Sequence, residues 1–259
     1  MKTLNNQLLG PVNRNSVPLL SAAHVFAAVV GLSYCANAQS ISVTNPSFES
    51  PQIPAGFPAL TMVNGWQKNP APPPQFGITA DQWDQMAGVF PNPAEGQPRH
   101  LTNADGSQVA YLFAVQGVGL SQEVTSKYTA GLGYELQVGA RGGGSLTPGT
   151  QFQIGLYYSD NGTVVPIGGT VFMATDALTT ASALQDFKVT LGTVKAGDAW
   201  NGRNIGVSLT SFSQNGAAGI AYWELDKVRL VATPEPSTWM LGGVGTVVLW
   251  AVGRRRQQS

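Results

Sequence analysis

Apolar and polar residues alternate with a period of two through most of the middle of the chain. In YELQVGAR (134–141), Tyr134, Leu136 and Val138 share one side, and Glu135 and Gln137 the other. The same alternation runs through 108–114, 119–125, 150–158, 170–175, 184–194, 204–212 and 220–231. Side chains of an extended strand point to opposite faces in turn, so each run predicts a strand with one buried face. Clusters rich in Gly, Asn, Asp and Pro, such as SDNG (159–162) and SQNGAAG (213–219), separate the runs and predict turns. No long stretch repeats at 3.6 residues. Strands at this spacing predict an all-β domain, a two-sheet β-sandwich of jelly-roll type. Residues 50–107 are less regular and proline-rich, and predict long loops over one face or edge. In YWELDKVRL (222–230) the alternation slips by one, which predicts a bulge and turns Asp226 inward.

The two ends carry a different pattern. Lys2 and Arg14 precede a mostly apolar run, VPLLSAAHVFAAVVGL (17–32), and then YCANAQS, with Ala36 and Ala38 at small-residue spacing. That is the layout of a secretory signal peptide cut after Ala38, which implies the Sec translocon and signal peptidase as partners. A lipoprotein signal at Cys35 is disfavoured by the bulky Tyr34 before it. At the other end, residues 237–253 carry no charge. As a helix they would span about 25 Å, which suits a transmembrane segment with snorkelling arginines behind it. Arg254, Arg255 and Arg256 place that end in the cytoplasm and the bulk of the chain outside. The chain thus divides into a signal peptide (1–38), a β-sandwich domain (39–232) and a C-terminal segment (233–259) with its helix at 237–253.

Charge and cysteine content narrow the function. Formal net charge is zero, but all 14 acidic residues lie within 39–236 and only nine of the 14 basic ones do. An acidic domain without a basic groove argues against nucleic acid. The single cysteine, Cys35, falls in the leader, so the domain has no disulfide or thiol chemistry. Its one histidine is His100, and there is neither a G-x-S-x-G elbow nor an H-E-x-x-H pair. These absences lead to the expectation of a domain that is not an enzyme and has no catalytic residue.

The tail, Pro234-Glu235-Pro236, then an apolar helix, then Arg254-Arg255-Arg256, resembles the PEP-CTERM sorting signal of Gram-negative bacteria. The resemblance implies processing by exosortase, a precursor held in the inner membrane, and a final place at the cell surface or in an exopolysaccharide or biofilm matrix. The domain begins ISVTNPSFESP and ends AYWELDKVRLVA, with Gly65-Trp66 between. It resembles the galactose-binding-like jelly rolls, including carbohydrate-binding modules that start N-x-x-F-E and end with an aromatic, an acid and V-x-L. In those modules the motif glutamate and an acid of the last strand help hold a structural calcium, which implies Glu49 and Asp226 here. Hard carboxylate oxygens suit calcium. The alternative is that Asp226 pairs with a base or caps a turn.

Trp83, in ITADQWDQM beside Asp84, and Trp200, in GDAWNGRN beside Arg203, sit among short polar side chains in segments that read as loop. Exposed rings with amide, acid and guanidinium neighbours form sugar platforms. Aromatics folded over the sandwich edge are the alternative for both, while Trp66 and Trp223 read as core. Together these features predict an exported protein that binds or associates with exopolysaccharide. A surface protein with no ligand site and a secreted glycan hydrolase are the alternatives.

Overall fold

The computed structural model describes residues 38–71, 78–212 and 221–234. The expected signal peptide and the segment 237–253, expected as a helix, lie outside the described residues, as do Glu235, Pro236 and the three arginines. Among the described residues no helix is long and apolar enough to cross a membrane. Residues Asn37–Glu235 form a compact unit.

Two antiparallel sheets make a sandwich. The first runs β3 (Ala87–Pro91), β4 (Gln108–Phe113), β11 (Ala221–Pro234), β6 (Leu132–Gly144), β9 (Gln185–Leu191), with β1 (Gln39–Ile41) also paired to β11. The second runs β2 (Gln67–Lys68), β5 (Gly119–Lys127), β10 (Asn204–Ser211), β7 (Gln151–Asp160), β8 (Thr163–Met173). Two five-residue helices, α1 (Ala80–Asp84) and α2 (Asp176–Thr180), complete the elements.

Alternation decides which residues meet between the sheets. Ile205, Val207 and Leu209 of β10 and Phe152, Ile154 and Leu156 of β7 are all fully buried, as are Leu136 and Val138 of β6 and Trp223 and Leu225 of β11. The Phe152 and Trp223 rings meet across the sandwich at 5.4 Å. Burying one such large side chain contributes roughly 1.5–3 kcal/mol. The β7–β8 hairpin closes at Asn161 (φ 50°) and Gly162 (φ 82°), the left-handed pair that a two-residue turn needs.

The expected bulge is present: the β11–β6 register shifts between Asp226 and Arg229, and Lys227 sits at φ 57°. The region 50–107 is less loop-like than its prolines suggest. It supplies β2, β3 and α1, and Leu60 pairs with Val89 as an isolated bridge. Part of the outer face of the first sheet, over β4 and the start of β11, is buried as well as the inner one. Tyr111, Tyr222 and Glu224 point away from the core and are still only 3–5% exposed.

Candidate functional site

That covered outer face holds a cavity of about 750 Å³. Its position is set by register. On β11, Trp223 and Leu225 face the core, so Tyr222 and Glu224 face outward. Tyr222 lies opposite Phe113 on β4 and Gly143 on β6, and Glu224 lies opposite Tyr111 and Arg141. Phe90 of β3 comes in beside them. Its ring stacks on Tyr111 at 4.1 Å and meets Tyr222 edge-on at 5.1 Å, while Phe113 meets Tyr222 at 6.0 Å. Glycine at 143 is required: a Cβ there would stand 2.2 Å from the Tyr222 ring, which lies on that backbone. Pro58, the segment 91–101 and Thr179 of α2 close the sides.

A charged pair sits among these rings. Arg141 Nε donates to Glu224 Oε2 at 2.5 Å, and its Nη1 donates to the Ala181 carbonyl at 2.5 Å. Side-chain exposure is 10% for Arg141 and 4% for Glu224. Burial pushes the Glu224 carboxyl above the usual carboxylate range, and the Arg141 charge and hydrogen bond pull it partly back. Burial likewise raises the Tyr222 phenol, helped by the Glu224 charge and opposed by Arg99 and Arg141. Arg99, at the rim, donates to the Tyr222 hydroxyl. Tyr111 is pushed up to about 12, first by burial and then by Asp84, and its hydroxyl donates to the Gln85 carbonyl at 3.1 Å.

The residues expected to bind sugar are elsewhere, and the burial of Trp83 corrects the expectation that its ring is exposed. Trp83 is not in a loop. Thr79 and Gln82 form a capping box that starts α1, and the Trp83 ring is 7% exposed in the main core, its Nε1 donating to the Asn69 carbonyl at 2.9 Å. Trp200 is half-buried and packs on the same core, with Nε1 buried and without a partner among the described residues. The two rings do not share a face. Trp83 abuts Gly117, before β5 begins, whereas the Trp200 turn bonds Tyr128, just after β5 ends. At 3.3 Å per residue those points are roughly 30 Å apart. Asp84 pairs with Lys68 at 2.8 Å, and Arg203 with Asp160 at 3.1 Å, both on the surface.

Glu49 and Asp226 do converge, on one turn. Glu49 Oε1 accepts the amides of Ser107 and Gln108, at 2.9 and 2.7 Å, and Oε2 accepts the Ser107 hydroxyl. Asp226 is fully buried. Its Oδ2 accepts the Asp105 amide at 2.6 Å and its Oδ1 the Lys227 amide at 2.7 Å. Burial is the main reason its carboxyl is pushed up to about 7, against those two amides, with the charges of Asp105 and Glu49 adding to the rise. The oxygens are of the kind calcium takes and retain free lone pairs, but among the described residues no group of three or more His, Cys, Asp or Glu is arranged to hold a metal. Both acids act here as caps of the 105–108 backbone. Pro234, the first residue of the sorting motif, closes β11 in register with Leu132.

A β-sandwich whose outer sheet face encloses an aromatic cavity around a buried acid–guanidinium pair has the makings of an enzyme scaffold, and similarity to known families agrees. Residues 39–231 match the family model described as HpiC1 cyclase, and residues 232–257 match the PEP-CTERM protein-sorting motif. The chain belongs to the HpiC1 cyclase-like family and carries a PEP-CTERM signal. That signal implies an exported, membrane-anchored precursor processed by exosortase.

Among solved structures, the Stig cyclase Fisc from Fischerella sp. TAU, in complex with (3Z)-3-(1-methyl-2-pyrrolidinylidene)-3H-indole, is 21% identical with a TM-score of 0.56. That match covers 76% of this chain and 99% of that one. A cyclase from the same organism in complex with 4-(1H-indol-3-yl)butan-2-one is 20% identical with a TM-score of 0.55, covering 75% and 98%. A CBM4 carbohydrate-binding module is 14% identical with a TM-score of 0.41, covering 75% and 100%. No curated protein matches.

Membership in a cyclase family overturns the expectation of a domain that is not an enzyme. Glu224, Arg141 and Tyr222 belong to neither a triad nor a metal-cluster motif, so no local motif marks them in the sequence. The one available signal was phase: Tyr222 and Glu224 alternate with Trp223 and Leu225, and so had to face something other than the core.

Proposed function

We propose that the exported domain is a cyclase that uses Glu224 as its proton donor on an apolar, unsaturated substrate held in the cavity over the first sheet. The observation that carries this is the buried Glu224–Arg141 pair lining a cavity walled by Phe90, Phe113 and Tyr222. A carboxyl whose acid form is favoured by burial can protonate a substrate carbon, and Arg141 then stabilises the carboxylate left behind. Cationic character created by that protonation meets the aromatic rings of Phe90, Phe113 and Tyr222, which attract it. Ring closure and loss of a proton back to Glu224 complete a redox-neutral isomerisation. Association with exopolysaccharide retains the sorting signal as its support and loses the two tryptophans.

The test is incubation of the purified chain with an alkenyl indole in D2O, following cyclised product and deuterium uptake by mass spectrometry. General acid catalysis contributes typically 10²–10⁴-fold, so Glu224→Gln is expected to lose roughly 100-fold or more in turnover while remaining folded by circular dichroism. Unchanged turnover in Glu224→Gln would remove the acid from the reaction.

A further inference from the structure

Four arginines lie among the described residues of the domain. Arg141 is paired with Glu224, Arg203 with Asp160 and Arg229 with Asp105. Arg99 has no carboxylate within salt-bridge distance among the described residues, and it is the one at the rim of the cavity. Among the described residues the cavity therefore carries one positive charge that no acid balances: two arginines line it against the single glutamate.

The guanidinium is held for use. Arg99 sits at φ 70°, a left-handed conformation that side-chain-bearing residues adopt at a cost. Its flanks are fixed on both sides: the His100 amide donates to the Gln97 carbonyl, His100 Nδ1 lies 2.6 Å from the Pro93 carbonyl, and the Leu101 amide donates to Asn92 Oδ1. Prolines at 91, 93 and 98 stiffen the segment further. The guanidinium stands 5.9 Å from the Tyr222 ring centroid and donates one hydrogen bond to that tyrosine's hydroxyl. A guanidinium has five N–H donors in a planar fork, so the rest stay available. The neighbouring rim amide of Asn92 is bonded at both ends by Leu101 and carries no charge.

We infer that the substrate of this cavity carries an anionic group, a carboxylate or a phosphate, which docks on Arg99 at the rim while its apolar body lies against Phe90, Phe113 and Tyr222; this rests on the cyclase reading. Arg99 is then a specificity-determining residue, and the anionic group it holds sits beside Tyr222, two residues along β11 from Glu224. A planar fork matches a carboxylate or phosphate in bidentate fashion.

Calorimetry on the purified full chain in a neutral detergent tests this with two probes of similar size, neutral 4-(1H-indol-3-yl)butan-2-one and anionic 4-(1H-indol-3-yl)butanoate. Charge-assisted bonds are about twice as strong as neutral ones, so the acid is expected to bind about tenfold tighter or more at low salt. Arg99→Gln should abolish that preference in a chain whose circular dichroism matches that of wild type. Added salt should erode only the binding of the acid. Ketone binding with no preference for the acid, or a preference that survives Arg99→Gln, overturns the inference and leaves the cavity as a binding site. Failure of both probes to bind overturns the reading of the cavity as well. An inorganic phosphate titration that competes with the acid probe in wild type but not in Arg99→Gln would assign the site to anions in general.

Discussion

Replacing Arg141 with methionine tests the physical basis of the site most directly. The substitution keeps a long side chain but removes the charge that faces a 4%-exposed carboxylate. Breaking a buried ion pair from one side costs about 3–5 kcal/mol, because the remaining charge is left without compensation. The Ala181 carbonyl also loses its donor, worth about 1 kcal/mol and independent of pH. The larger cost does depend on pH. Burial already holds the folded-state Glu224 carboxyl above the usual carboxylate range, and Arg141 is what pulls it down. Without Arg141 the native state keeps its proton to still higher pH. The folded pKa then exceeds the unfolded one by more, and the penalty for a buried charge is fully present above the folded pKa. That penalty fades as pH falls toward the unfolded value.

For a domain of this size, 1 kcal/mol shifts the melting temperature by roughly 2–4 °C. Arg141→Met should therefore lower it by roughly 6–20 °C at pH 8, and by clearly less at pH 5. Adding Glu224→Gln should recover part of the loss at pH 8 and little at pH 5. Differential scanning fluorimetry of the four proteins at the two pH values makes the measurement. A loss equal at both pH values, or below about 1 kcal/mol, would refute the claim that Glu224 is a buried, proton-accepting carboxyl.

The placement of the other candidate residues sets two further outcomes. Trp83→Ala should destabilise the domain by about 3–5 kcal/mol, the cost of emptying a core aromatic site, whereas Asp84→Ala should cost less than about 1 kcal/mol because its pair with Lys68 is on the surface; equal melting temperatures for the two variants would return Trp83 to the surface. If calcium completes its shell at Glu49 and Asp226 with backbone carbonyls, chelation lowers the melting temperature, added calcium restores it by mass action, and Asp226→Asn abolishes the response. A wild-type melt indifferent to chelator leaves both acids as caps of the 105–108 turn.

Local chemistry was legible without the fold. Period-two alternation marked eight of the eleven strands because strand geometry fixes it residue by residue. Asn161-Gly162, within SDNG, marked a turn because such residues adopt left-handed dihedrals cheaply. The slip at Asp226 marked the bulge, and the order Pro-Glu-Pro, apolar segment, arginines marked the sorting signal. The Thr79/Gln82 capping box that starts α1 is also local in sequence, but five residues are too short for a helical period to show.

The cavity was not legible in this way, because its parts come from β3, β4, β6, β11 and the 91–101 segment, up to about 130 residues apart. Alternation says that Glu224 and Tyr222 leave the core; it does not say whether they reach water or a second buried layer. Only the packing over the first sheet decides that, and packing turns the same side chain from a solvated surface acid into a desolvated carboxyl. The tryptophans show the reverse case. Polar neighbours in sequence suggested exposure for Trp83, and the fold buried it, because a large ring finds more favourable contacts in the core than local polarity can offset.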